Sequence, residues 1–339
     1  MSARPIDPRA WLLWLAAVSI PAMVGRNPWP LAAAFLAALG VRAVAQQQDR
    51  VGWAGVLKLG ATLALFGVLF NVLTAHVGDR VFARLPDRWP IIGGVLTINA
   101  LAYGLVSALA ILTLLLAGTT IGIVLDWNGL LRLLPDRFAM AAVATSVAWA
   151  LIPQTTRALS DIREAQTARG YRPRGVRDAG PLLMPLLSGS LERSMTLAEA
   201  LESRAFGAPL RDDPPAGRWT IAALSLGIGV GTLGAYSLAL GNGLMTALSL
   251  PIAAALLWLA ARSPHQDGPR RTRYRAPVWD RRAGVIAAAS GACLLIEIAV
   301  LAAAPWALAW DPYPSMTMPA VHLPLMAAFG LLLVPAFVR

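Results

Sequence analysis

Eight apolar runs constrain this chain more than anything else in it. They fall at about 11–24, 29–45, 56–76, 95–124, 219–240, 244–261, 283–304 and 321–338. In lipid, every backbone N–H and C=O must be satisfied inside the protein, so segments of this kind span as helices or closed barrels. Their length favours helices. The composition agrees: 57% of residues are hydrophobic and 14% charged, against about 25% charged in soluble domains. The expected fold class is all-α, a polytopic helical membrane protein with a cytoplasmic helical insert.

The runs are not equal. The first has 14 residues, which cover about 21 Å as a helix, less than the roughly 30 Å hydrocarbon core. The first two therefore either tilt into the protein or form a hairpin through Gly25–Pro28 that does not fully cross. In 95–124, Gly118, Thr119, Thr120 and Gly122 mark a place where the helix could bend or break. The organisation read from these signals is 1–124, about four spans; 125–218, a cytoplasmic helical domain; 219–261, two spans; 262–282, a basic cytoplasmic loop; and 283–339, two further spans.

Orientation follows from arginine. Loop 262–282 carries Arg262, Arg270, Arg271, Arg273, Arg275, Arg281 and Arg282, whereas loop 305–320 carries none. The positive-inside bias places the first in the cytoplasm and the second outside. Both termini are then cytoplasmic, in the inner (plasma) membrane. Loop 77–94 opposes this, because it puts Arg80, Arg84 and Arg88 outside, only partly offset by Asp79 and Asp87. The net charge of +11 does not point to nucleic acid, because the arginines sit in loops between apolar segments. Arg4 and Arg9 before an apolar run resemble a signal peptide, but no small-x-small cleavage site follows and further spans do. That run reads as a first membrane segment.

Enzyme constellations are missing. His76, His265 and His322 are far apart in sequence and predict no metal site. Cys293 is the one cysteine and lies in an apolar run. There is no phosphate-cradling Gly-rich loop followed by lysine, and Lys58 is the single lysine. The reading is a non-catalytic membrane subunit with no cofactor. Glu297, inside Leu294–Val300, is an ionisable group at membrane depth. It reads either as a functional group or as a protonated or arginine-paired structural glutamate.

The polar insert 125–218 holds the most informative pattern. Segment 139–152, apolar but short, is expected to lead in along the membrane surface. Helix A is expected over about 154–169 and helix B over about 183–205. Glu164–Tyr171 and Glu199–Phe206 repeat one pattern: Glu-Ala, two variable residues, small, Arg, small, aromatic. Gly170 and Pro173 end the first, Gly207 and Pro209 the second. Each helix so presents one arginine, Arg169 or Arg204, near its C-terminus between small neighbours. A guanidinium there can cap its own helix or fork onto a partner's carboxylates and carbonyls. The repetition favours a partner contact. On helix B, Leu187, Leu191, Ser194, Ala198, Leu201 and Ala205 form a narrow stripe suited to close helix packing.

At these residues the sequence resembles the transmembrane T component of energy-coupling factor (ECF) transporters, which carries two Ala-Arg-Gly-like triplets. Ala168-Arg169-Gly170 matches the first. Ser203-Arg204-Ala205 matches the second with two small-for-small changes. Asp7-Pro8-Arg9 and Asn27-Pro28-Trp29 add support, and the resemblance covers about residues 5–261. It implies a scaffold without catalytic site, whose triplet arginines dock into two cytoplasmic ABC ATPases. It also implies that the coupling helices hold a small membrane-embedded substrate-binding S component, for uptake of a vitamin or a metal ion such as cobalt. Two other readings stand beside it. One is the permease of a conventional ABC importer, whose Glu-Ala-Ala-x-x-x-Gly motif Glu164-Ala165-Gln166 and Gly170 approximate; the repeat at Glu199 argues against it. The other is a secondary transporter or membrane enzyme using Glu297.

Overall fold

A computed structural model describes residues 6–46, 53–86, 89, 93–131, 133, 139–171, 179–203, 218–240, 242–261 and 279–338. Contacts divide the chain into two units. One comprises 1–127, 216–263 and 275–339; the other comprises 128–215 and 264–274.

The first unit is a helical membrane domain. It contains α1 (Pro8–Met23), α2 (Pro28–Gln46), α3 (Trp53–Thr74), α4 (Ile98–Val124), α8 (Arg218–Ala239), α9 (Gly243–Ala261) and α10 (Arg281–Ala303). Among the described residues, six helices are long and apolar enough to cross a membrane: α2, α3, α4, α8, α9 and α10. The protein is an all-α, multi-pass membrane protein.

Local chemistry sets several of the helix starts. Asp7 caps α1, its carboxylate accepting from Arg9 N at 2.9 Å, with Pro8 at the first helical position. Thr97 caps α4, its hydroxyl accepting from Ala100 N at 3.2 Å. α1 has only 16 residues, yet Trp11 and Trp14 are fully buried in it. The Trp14 indole N–H donates to Leu332 O at 2.9 Å, so the ring is buried without leaving its donor unsatisfied. By contrast α3 shows Leu65, Phe66, Leu69 and Phe70 on its surface, the outward apolar face expected of a helix in lipid.

The structure corrects three local expectations and adds one element, a hairpin, that the sequence reading did not assign. α4 runs unbroken through Gly118–Gly122, and the Thr119 and Thr120 hydroxyls bond back to Leu115 O and Leu116 O. These residues satisfy their own polarity along the helix, so they need no break. Segment 321–338 is not one helix but α11 (Leu323–Gly330), a tight 3-10 turn at Leu331–Leu333 and α12 (Val334–Phe337). Between α3 and α4 lies a two-stranded antiparallel hairpin, β1 (Val81–Leu85) with β2 (Gly94–Thr97), in which Ala83 faces Leu96 and Leu85 faces Gly94, so the apolar run from 95 opens as strand. In the second unit, 139–152 is not a separate lead-in. α6 is one helix, Ala139–Ala168, that continues through Pro153.

The second unit pairs α6 with α7 (Gly180–Glu202). Helix B therefore begins three residues before its expected start. A short α5 (Trp127–Leu131) precedes α6.

Candidate functional site

α6 has 30 residues, about 45 Å of helix, and its end is built entirely by backbone. Tyr171 N donates to Gln166 O at 2.9 Å and Gly170 N to Thr167 O at 2.9 Å, while Arg169 N reaches Gln166 O at 3.1 Å. This is a Schellman closure, and it requires a residue in the left-handed region just past the helix. Gly170 supplies it with φ 82°. The last-turn carbonyls at 166 and 167 are thus already satisfied. Arg169, the next residue back, is exposed. Among the described residues its guanidinium has no hydrogen bond or ion pair. A side chain that its own helix does not need for capping is free to meet something else.

α7 ends at Ser203, whose N donates to Glu199 O at 2.9 Å and whose hydroxyl donates to Ala200 O at 3.0 Å. Arg204 and Ala205 lie outside the described residues, so the second triplet is placed only up to Ser203.

α6 and α7 meet along an open groove of about 610 Å³. Leu151 and Gln154 of α6 line it opposite Glu192, Arg193, Thr196 and Leu197 of α7. The Gln166 amide reaches Pro181 O at 3.4 Å where α6 ends and α7 begins. The stripe expected to pack helix against helix lies elsewhere on α7. Leu187, Leu191, Ser194 and Ala198 are exposed and Leu201 is half-buried. Leu187 is 56% and Leu191 65% exposed, beside Met184 at 73% and Met195 at 65%. α7 buries no residue fully, and this apolar face is not consumed within the described chain.

In the membrane domain, Glu297 is fully buried on α10. Cys293 Sγ lies 4.0 Å from its Oε1, and its Oε2 has no hydrogen-bond partner. Among the described residues no group of His, Cys, Asp and Glu could hold a metal ion.

A polar staple went unread in the sequence. It ties loop 304–322 to the α1–α2 turn and to the start of α4. Asn27 Nδ2 donates to Ala307 O and Ala320 O, each at 2.8 Å, and Asn27 N donates to Leu308 O at 3.1 Å. A Cβ at Gly25 would run into the Leu308 carbonyl, so the turn closes only over glycine. Asn99 Nδ2 donates to Pro312 O at 2.6 Å and to Asp79 Oδ1 at 2.9 Å, and Met316 N donates to the same Asp79 oxygen at 3.3 Å. The Asn99 bond holds the Asp79 carboxyl below its ordinary range. Arg26 sits 4.3 Å over the Tyr103 ring, which lies 5.6 Å from Tyr313. Two asparagines beside apolar runs were the available signal: a buried amide needs partners, and these find them more than 200 residues away in sequence.

Helices long and apolar enough to span lipid, joined to a second unit whose helix end presents an exposed arginine, define a multi-pass membrane protein. The sequence comparison makes the class particular. Residues 1–215 match the CbiQ family, described as cobalt transport protein. The chain belongs to that family, which is the family of EcfT-like T components of ECF transporters. No curated protein matches it.

Proposed function

We propose that this chain is the scaffold and energy-coupling subunit of an ECF-type importer in the plasma membrane, with both termini cytoplasmic. In this reading it is non-catalytic. Two ABC ATPases hydrolyse ATP, and their motion passes through α6 and α7 to a membrane-embedded S component that carries a vitamin or a metal ion. The single observation behind it is Arg169: exposed, unpaired among the described residues, and carried on a helix end whose carbonyls at 166 and 167 are already closed by Tyr171 and Gly170. Ala168-Arg169-Gly170 is one ATPase anchor and Ser203-Arg204-Ala205 the other. The exposed face of α7, with Leu187, Leu191, Ser194, Ala198 and Leu201, is the surface offered to the S component. Residues 125–218 act as the coupling domain, and the segments 1–124, 219–261 and 283–339 as its membrane frame.

The test is co-purification. The tagged chain, expressed with its ATPases and S component, should retain both ATPases in mild detergent. The double variant Arg169→Ala/Arg204→Ala should lose them while the chain itself accumulates normally. Retention of the ATPases at wild-type levels by the double variant would sink the proposal.

A further inference from the structure

Glu297 stands apart from the coupling reading, and it lies in the part of the chain beyond the family match. Its face of α10 is Ala283, Ile286, Ser290, Cys293, Glu297 and Leu301, spaced by threes and fours and all buried. That face carries two orphaned polar atoms, Ser290 Oγ and Glu297 Oε2. An ionised carboxylate in such a place needs a cation, which the elements packed on α10 would have to supply.

Among the described residues, the elements packed on α10 bring no cation near it. Around α10 lie α1, α9, α11, α12 and the 3-10 turns Pro305–Ala307 and Leu331–Leu333. The sequences of α9, α11, α12 and both turns contain no charged residue. α1 contains one, Arg9, which is exposed at its first turn. Its neighbour Ala10 packs against Ala283 and Ile286, so Arg9 sits about 16 Å along α10 from Glu297, at 1.5 Å per residue. Arg281 and Arg282 lie further still, at the start of α10. Of the other titratable groups, Cys293 is a thiol 4.0 Å away, Asp280 stands at the far start of α10, and Asp311 and His322 lie in the loop past its end. The His322 ring lies 6.1 Å from that of Trp306, beyond the end of α10. Charge at membrane depth without a counter-ion is costly, and a lone buried charge is costlier than a lone buried hydroxyl.

We infer that Glu297 is a proton-binding site, a carboxylic acid kept neutral inside the membrane domain. Its chemistry is that of a buried acid towards lipid-soluble carbodiimides. The acid proton passes to a carbodiimide nitrogen and the carboxyl oxygen bonds to the central carbon. The acyl group then shifts from oxygen to nitrogen, leaving a stable N-acylurea with no atom lost. Glu297 should therefore gain the mass of one whole reagent molecule.

The experiment uses the full chain in membrane vesicles, treated with dicyclohexylcarbodiimide or with a water-soluble, cationic carbodiimide, and mapped by mass spectrometry. Infrared difference spectra of the purified full chain against Glu297→Gln provide a second readout on untreated protein. The expected result is an adduct at Glu297 from the lipid-soluble reagent alone. The carbonyl stretch of a protonated carboxylic acid should be present in the wild type and lost in Glu297→Gln. Equal modification by the water-soluble reagent, absence of any adduct at Glu297, or an unchanged infrared spectrum in Glu297→Gln would overturn the inference. None of these outcomes bears on ATPase docking, so the two proposals fail separately.

Discussion

Arg169 matters because of what its neighbours do. A C-terminal arginine usually has a ready job, donating to the last carbonyls and opposing the negative end of the helix dipole. Here Gly170 takes the left-handed conformation and the backbone closes the turn, so the guanidinium is left over. Removing one member of a desolvated charge pair costs on the order of 3–5 kcal/mol, at least two decades in affinity. Arg169→Ala and Arg204→Ala should each weaken ATPase association and uptake by that order. Arg→Lys should rescue poorly, because a point charge lacks the planar fork. Arg163→Ala, on the same helix but outside the triplet, should be mild; pull-down and uptake assays measure each variant. Gly170 is testable apart from any partner. A β-branched side chain at φ 82° costs about 1–2 kcal/mol. Gly170→Val should fray the last turn of α6, visible as faster amide exchange at 166–171, while Gly170→Asn should be milder.

At the scale of elements, the polar staple explains how a C-terminal segment outside the family match is fastened to the segments inside it. Asn27 serves two carbonyls of the 304–322 loop with one amide nitrogen, and each acceptor left buried and unsatisfied costs about 1–3 kcal/mol. Asn27→Ala should lower the thermal midpoint of the detergent-solubilised chain by the equivalent of about 2 kcal/mol or more. Asp79 adds a pH dependence whose sign is fixed. Its folded carboxyl titrates below the ordinary value, so its contribution is present above that value, about 4, and is lost as pH falls through the folded one. Acidification should loosen the 304–322 loop first, read by limited proteolysis. Asp79→Asn should flatten that response.

For the whole molecule, the same staple bears on topology. The α1–α2 turn, Asp79, the start of α4 and loop 304–322 all meet at one end of the membrane domain. Ile6, Ala10, Ala283 and Val338 meet at the other. The arginine-bearing loop 77–94 therefore shares its end with the arginine-free loop 305–320, which is the arrangement that its charge seemed to oppose. In a Cys293-free background, a single cysteine at 315 should be labelled by an impermeant reagent from outside intact cells. One at 268 should be labelled only after the cells are opened. Outside labelling at 268 would reverse the orientation.

Features that depend on local chemistry were legible without the fold. Apolar run length dictates spanning helices because lipid offers backbone no partners. Gly170 fixes the end of α6 because only a residue at ease with positive φ closes it. The family was legible in the same short signals, Ala168-Arg169-Gly170 and its near-repeat. What depends on distant partners was not legible. A buried asparagine has no periodicity, so nothing near Asn27 or Asn99 says which carbonyls, over 200 residues on, will accept its hydrogens. Pro153 reads locally as a helix boundary, yet α6 runs through it. The outward turn of Leu187 and Leu191 could not be read either, because a stripe gives the side of a helix but not what the helix sits against. Only tertiary packing, which seats the other face of α7 on α6, left that stripe exposed.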